Sequence, residues 1–247
     1  MAQHTQPVAL VTGANRGIGR EVARQLAGRG LAVVVGSRDV ESGQAVAGDL
    51  TRQGTQASAV RLDVTVPGSP SEAVGLIEGR LGRLDVLVNN AGRIIEASAV
   101  ESTADDLRAV FETNVFVAAE MFRAALPLLR TSPGPRIVNV SSTTASLTLT
   151  AGGTDFGGDA AFRLAYSTSK AALNMLTVQY DRAFRADPAL RHVKINAATP
   201  GYTATDMNRG QGQRTVEQGA RIIVDLALLA EDGPSGGFFN DAGSVPW

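Results

Sequence analysis

The sequence predicts the α/β class, a single doubly wound parallel sheet with helices on both faces, and three observations predict it. Short, nearly continuous apolar runs alternate with longer stretches of helical period along the whole chain, as in parallel strands joined by crossover helices. Most runs end in glycine, asparagine or serine, which punctuate strands. The 247 residues are 44% hydrophobic with a net charge of -1, enough for one large core, and no repeat, heptad or linker divides them. One domain over 1–247 is expected, with 1–7 as a flexible tail.

The first strand is expected at 8–12. It stops at Thr12-Gly13-Ala14-Asn15-Arg16-Gly17-Ile18-Gly19, and helical periodicity resumes over 21–27. Gly13 permits the tight turn, Gly17 lets a pyrophosphate approach the backbone, and Gly19 lets the helix pack closely, while the helix N-terminus offers free N–H groups to the anion. The spacing is G-x-x-x-G-x-G, not the usual G-x-G-x-x-G, so its position after the first strand carries the weight; the other reading is a plain turn.

A second strand, 32–36, ends in Ser37-Arg38-Asp39, where a dinucleotide fold meets the adenosine ribose. Arg38 favours the 2′-phosphate of NADP, and Arg16 in the glycine turn adds a second positive charge. Asp39 weighs towards NAD unless it caps the helix starting at Val40 or Glu41.

The third strand, 57–62, leads to Asp63, placed to accept from an adenine amino group. Pro67, Gly68 and Pro70 precede a helix over 72–81. The fourth strand, 84–88, stops at Asn89-Asn90-Ala91-Gly92, small and amide residues suited either to a ligand or to a turn. A long helical region follows over 103–129, with Asn114 among apolar neighbours, where a buried amide needs partners.

The fifth strand, 136–140, ends at Ser141-Ser142. The polar segment 145–164 reads as a rim loop with one short turn, and a helix follows over 165–185. A sixth strand at 193–197 leads into Pro200-Gly201-Tyr202-Thr203-Ala204-Thr205. A helix over 215–229 and a strand at 237–239 complete the chain.

Within the helix after the rim loop, Tyr166 and Lys170 share one face. A phenol titrates near ~10 and exchanges protons poorly at neutral pH unless a nearby cation stabilises its phenolate. The chain holds three tyrosines and, as lysines, only Lys170 and Lys194, so random placement gives roughly 0.02 such pairs. A compact ammonium beside a phenol is not replaceable by a guanidinium fork. The bland alternative is an ordinary tyrosine beside a solvated charge.

Other chemistries are restricted by composition. No cysteine is present, which removes disulfides, thiolate nucleophiles and cysteine-ligated zinc. His4 lies in the tail and His192 in a connection, so neither a serine–histidine–aspartate site nor a metal is expected. No basic excess points to nucleic acid, no apolar run to a membrane, and the polar start lacks a secretory signal, which makes the cytoplasm the expected location.

Together, the run from Thr12 to Gly19, Asn89 to Gly92, Asn114, Ser142, Tyr166 with Lys170, and Pro200 to Thr205 resemble the classical short-chain dehydrogenase/reductase family. Asn15-Arg16-Gly17, Ser37-Arg38-Asp39 and the stretch after Pro200 look most like its NADPH-dependent carbonyl reductase branch. The resemblance implies a Rossmann-type fold and a catalytic set of Asn114, Ser142, Tyr166 and Lys170. In it Tyr166 protonates a carbonyl oxygen, Ser142 holds that oxygen, Lys170 stabilises the phenolate and binds the nicotinamide ribose, and Asn114 holds a water. It chooses Ser142 over Ser141.

Cofactor contacts implied by position are Gly13, Asn15, Arg16, Gly17, Ile18, Gly19, Arg38, Asp63, Val64, Asn90, Ala91, Gly92, Tyr166, Lys170, Pro200, Gly201, Thr203 and Thr205. The cofactor is NADP(H) before NAD(H), and the substrate a small carbonyl compound or alcohol. The alternatives are an NAD-dependent alcohol dehydrogenase and a non-catalytic dinucleotide sensor. The resemblance implies a dimer or tetramer, but Ser142 and Tyr166 stand 24 residues apart, longer than the family pattern, which leaves a monomer open. Segments 145–164 and 206–219, and Trp247, are expected to shape the substrate site.

Overall fold

Every second residue of the central strands faces the same way, and this alternation divides the core into two layers. In the computed structural model, which describes residues 6–156 and 162–247, β1 (Val8–Thr12) is wholly buried. Val8 and Leu10 pack into one cluster, Ala9 and Val11 into the other. Residues 1–5 of the expected tail, His4 among them, and 157–161 of the rim segment lie outside the described residues, while Gln6 donates to Gly30 O (2.6 Å) and the Pro7 carbonyl accepts from the Ala32 N–H (2.8 Å), so the end of that tail is held to the fold.

The sheet has eight strands in the order β3-β2-β1-β4-β5-β6-β7-β8. These are β1, β2 (Ala32–Ser37), β3 (Ala57–Arg61), β4 (Val86–Asn89), β5 (Arg136–Val140), β6 (Lys194–Ala198), β7 (Phe238–Asn240) and β8 (Gly243–Ser244). All neighbours are parallel except β7, close to the strand expected at 237–239, and β8, whose two residues are too few to leave a sequence signal and which pairs with it as an antiparallel hairpin. The helices α1 (Gly17–Gly28), α2 (Val40–Arg52) and α8 (Val216–Ala227) cover one face. On the other lie α3 (Ser69–Leu81), α5 (Val117–Thr131) and α7 (Leu164–Ala186). The expected doubly wound parallel sheet is therefore the observed one.

Strand order reverses between β1 and β4, which lie side by side although β2 and β3 intervene in sequence. That switch point opens a crevice beyond the C-terminal strand ends. Asp85 fixes the opposite end: its carboxylate accepts from the Val8 N–H (2.8 Å), from Arg83 (2.8 and 2.7 Å) and from Ser132 (2.7 Å).

Three expectations need correction. The helix expected over 103–129 is α4 (Ala104–Phe111) and α5 with a π-helical turn, Glu112–Phe116, between them. Residue identity there suits any helix, so only the extra residue in the turn marks it, as is common near functional sites. The segment expected to hold one short turn contains a 3-10 turn, Thr143–Ala145, and the short helix α6 (Leu147–Ala151), capped by Ser146. Helix α3 begins at Ser69, earlier than expected, because proline is tolerated in a first helical turn.

Candidate active site

Three glycines shape the turn between β1 and α1. Gly13 and Gly17 take φ of 63° and 54°, in the left-handed region. Gly19 has helical geometry, but an added Cβ would meet the Asn90 amide and lie 2.5 Å from the Gly13 carbonyl oxygen. The turn is clamped from β4. Asn90 Nδ2 donates to the carbonyls of Thr12 (2.9 Å) and Gly13 (3.2 Å), while Thr12 Oγ1 accepts from the Asn90 and Ala91 N–H groups. The side chain of Asn90 thus holds the turn itself. Arg16, the N-cap of α1, makes no side-chain capping bond and no acidic residue occupies the first helical turn, so the N–H groups there stay available to an anion.

At the end of β2 Asp39 takes the capping role. Its carboxylate accepts from the N–H groups of Glu41 and Ser42, capping α2. Asn15 donates to Ser42 Oγ (3.2 Å), tying the glycine turn to the same cap. Arg38 stays exposed, and its charge reaches Asp63. Burial opposes ionisation of Asp63, but bonds from Thr65 and the charges of Arg38 and Arg61 hold its pKa below the ordinary value. Val64 follows it, partly buried against the core. Arg16 forms an exposed ion pair with Asp206 (3.5 Å) across the crevice. An added Cβ on Gly17 would lie 3.7 Å from Thr205, so the segment around Thr203 and Thr205 closes over the glycine turn. Thr203 is buried and donates to Pro200 O (3.0 Å), and Gly201 takes φ of 70°.

The four residues expected to be catalytic converge at the ends of β4 and β5. Asn114, in the π-helical turn, is buried, and its amide is fully engaged. Oδ1 accepts from Arg93 N–H (2.8 Å), while Nδ2 donates to Arg93 O (3.0 Å) and Ser169 Oγ (2.9 Å). Ser169 in turn donates to the Tyr166 carbonyl (2.7 Å), so this chain of bonds braces the start of α7. Gly92 sits between Asn114 and Lys170, with an added Cβ 3.5 and 3.6 Å from their polar atoms.

The neighbouring serines part company. Ser141 donates to Asn174 Oδ1 (2.6 Å) inside the fold, whereas Ser142 stands with Tyr166 on the wall of the crevice, its hydroxyl 3.0 Å from Thr144 Oγ1 and accepting from the Thr144 N–H (3.3 Å).

Lys170 departs from the simple picture of an ammonium against a phenol. It is 3% exposed and donates to the Val140 carbonyl at 2.7 Å, with Nζ 5.7 Å from the centre of the Tyr166 ring. Burial lowers its pKa to about 8. Burial also pushes the Tyr166 phenol up, opposed by the nearby Ser142 hydroxyl and the positive charge of Arg163. Arg163 is thus a second cation near Tyr166 beside Lys170, one that residue spacing alone did not reveal.

Tyr166 and Ser142 face a cavity of about 120 Å³ at the crevice. Its wall also carries Ile94, Glu96, Phe156, Arg163 and Tyr202, none of them among the individually expected catalytic or cofactor residues. They arrive through long-range pairing: Ala97 bridges to Arg163, and its N–H donates to Phe162 O (3.0 Å). Both expected specificity segments contribute, one through Phe156 and Arg163, the other through Met207 and Asn208. Trp247 does not. It stacks on Phe238 with ring centres 5.6 Å apart, and its carbonyl accepts from Thr148 (2.9 and 2.6 Å), so it anchors α6. Among the described residues no cluster of three or more His, Cys, Asp or Glu is placed to hold a metal, and no helix is long and apolar enough to cross a membrane.

Residues 7–216 match the family described as short chain dehydrogenase. A (+)-neomenthol dehydrogenase of Capsicum annuum is 32% identical, over 94% of both chains. Among solved structures, an NADPH-bound carbonyl reductase from chicken fatty liver superposes with a TM-score of 0.83 at 30% identity, covering all of both chains. Salutaridine reductase from Papaver somniferum gives 0.80 at 29% identity over 96% of this chain and 100% of its own.

Proposed function

The chain belongs to the short chain dehydrogenase family, and on that premise we propose that it is a reductase moving hydride between NADP(H) and a ketone or aldehyde, or oxidising a secondary alcohol in reverse. The observation that carries this reading is the placing of Tyr166 and Ser142 together on the wall of one cavity beyond the C-terminal ends of the strands.

The residues fit a dinucleotide. The close approach of Gly19 to the Gly13 carbonyl and the uncapped start of α1 suit a pyrophosphate held by Gly13, Asn15, Arg16, Gly17, Ile18 and Gly19. Exposed Arg38 suits a 2′-phosphate, and with Asp39 spent on capping α2 the residue that weighed towards NAD is otherwise engaged. Asp63 and Val64 would flank the adenine, with Asn90, Ala91 and Gly92 beneath the ribose. Pro200, Gly201, Thr203 and Thr205 would meet the nicotinamide end. When bound, the reduced nicotinamide supplies the hydride.

In the reducing direction Tyr166 donates its proton to the carbonyl oxygen as negative charge develops there, and Ser142 holds that oxygen by a hydrogen bond. The phenolate left behind is stabilised by the charge of Arg163, and by Lys170 when its ammonium is released from Val140 towards the phenol and the ribose. Asn114 acts through its clamp on Arg93 and Ser169, which fixes the start of α7. The carbonyl reductase and neomenthol dehydrogenase relatives support this reaction class. The test is to follow NADPH and NADH absorbance against small, aromatic, steroid and quinone carbonyls. Turnover of at least one, faster with NADPH, is expected; none with either cofactor contradicts the proposal.

A further inference from the structure

Arg163 is a cation on the cavity wall, shared with Tyr166 and Ser142. Among the described residues no carboxylate forms an ion pair with it, Glu96 on the same wall included. Its Nε is buried without a hydrogen-bond partner. Native folds rarely leave a desolvated guanidinium N–H unmatched, so this one calls for an explanation.

The side chain is also held in place. Its guanidinium lies over the Tyr202 ring at 5.7 Å, and its backbone bridges to Ala97. A second cavity of about 260 Å³ adjoins the first through Glu96, Arg163, Tyr202 and Asn208, with Arg209 on its wall. Arg209 adopts φ of 54°, a left-handed conformation uncommon outside glycine. Two guanidinium groups and the Asn208 and Gln211 amides thus border the path leading away from Tyr166.

Building on the hydride-transfer reading, we propose that the substrate is an oxo acid, its carboxylate held by the guanidinium of Arg163 while its carbonyl oxygen meets Tyr166 and Ser142. A carboxylate matches the guanidinium fork and neutralises a cation that no carboxylate pairs among the described residues, which a neutral carbonyl compound of the same shape does not. Arg209 lies on the far wall, where a longer acid reaches it.

The test compares acetoacetate and 4-oxopentanoate with their methyl esters, using wild type, Arg163→Gln and Arg163→Lys with NADPH. The acid-to-ester ratio of kcat/KM is the readout, because any effect of Arg163 on the Tyr166 proton touches acid and ester alike and cancels. For wild type a ratio of roughly tenfold to a hundredfold is expected, the worth of one hydrogen bond to a charged group. It should fall to about one in Arg163→Gln through KM, with Arg163→Lys between. Equal rates for acid and ester in wild type, or an equal loss on both in Arg163→Gln, would overturn the proposal. Should no carbonyl turn over, the hydride-transfer reading fails by itself. Calorimetric titration of 4-oxopentanoate then decides the anion site: binding by wild type and not by Arg163→Gln upholds it, and binding by neither overturns it.

Discussion

The ammonium of Lys170 donates to the main-chain carbonyl of Val140 at 2.7 Å, the last residue of β5 and two before Ser142. One hydrogen bond only partly offsets the loss of water around a buried charge, so the proton is held loosely, with a pKa of about 8 against an ordinary value near ~10.4. The unfolded chain therefore binds this proton more tightly than the folded one. By linkage, the destabilisation is complete below about pH 8 and is relieved as pH rises towards the unfolded value. Relative to Lys170→Met, wild type should gain about 3 kcal/mol of stability between those limits, as measured by denaturant unfolding. A difference independent of pH would place the ammonium in solvent.

Asp85 gives the opposite sign. Burial would raise its pKa, but Arg83, Ser132 and the Val8 N–H hold it below the ordinary carboxylate value. Its contribution is then present above the unfolded value near ~3.9 and is lost as pH falls through the folded value. Asp85→Asn is expected to cost about 3 kcal/mol at neutral pH, because it breaks a buried pair and loosens β1 from β4. Chemical denaturation at pH 7 and pH 3 checks both parts: the cost should shrink at the lower pH.

Replacing Arg38 by Asp is expected to raise the KM for NADPH about tenfold to a hundredfold more than that for NADH, the range of one or two charge-assisted bonds to phosphate. The exposure of Arg38 and the capping role of Asp39 both lead there. Equal effects on the two cofactors would remove Arg38 from the 2′-phosphate.

Much of the fold was legible because buried parallel strands are continuous apolar runs: Ala9, Val11 and Val33 to Val35 need no tertiary information to read as strand. Elements whose existence depends on contacts were not. The two-residue β8 forms only by pairing with β7, and α6 by capping on Ser146 and bonding of Thr148 to the Trp247 carbonyl. The π-helical turn at Asn114 leaves no periodicity of its own.

At the site, the glycine turn and the Tyr166–Lys170 pair are local spacings, so sequence exposes them. Arg163, Glu96 and Tyr202 come together through the bridge from Ala97 to Arg163, between segments more than sixty residues apart. No local pattern predicts that meeting, nor that Lys170 would choose a main-chain carbonyl as its partner.

The central claim is that the Tyr166 phenol is the proton donor, and Tyr166→Phe tests it most directly because it removes one oxygen and keeps the ring. The account predicts a fall in kcat of about 10²–10⁴-fold with NADPH affinity unchanged when measured by fluorescence titration. Turnover within a few-fold of wild type would contradict it.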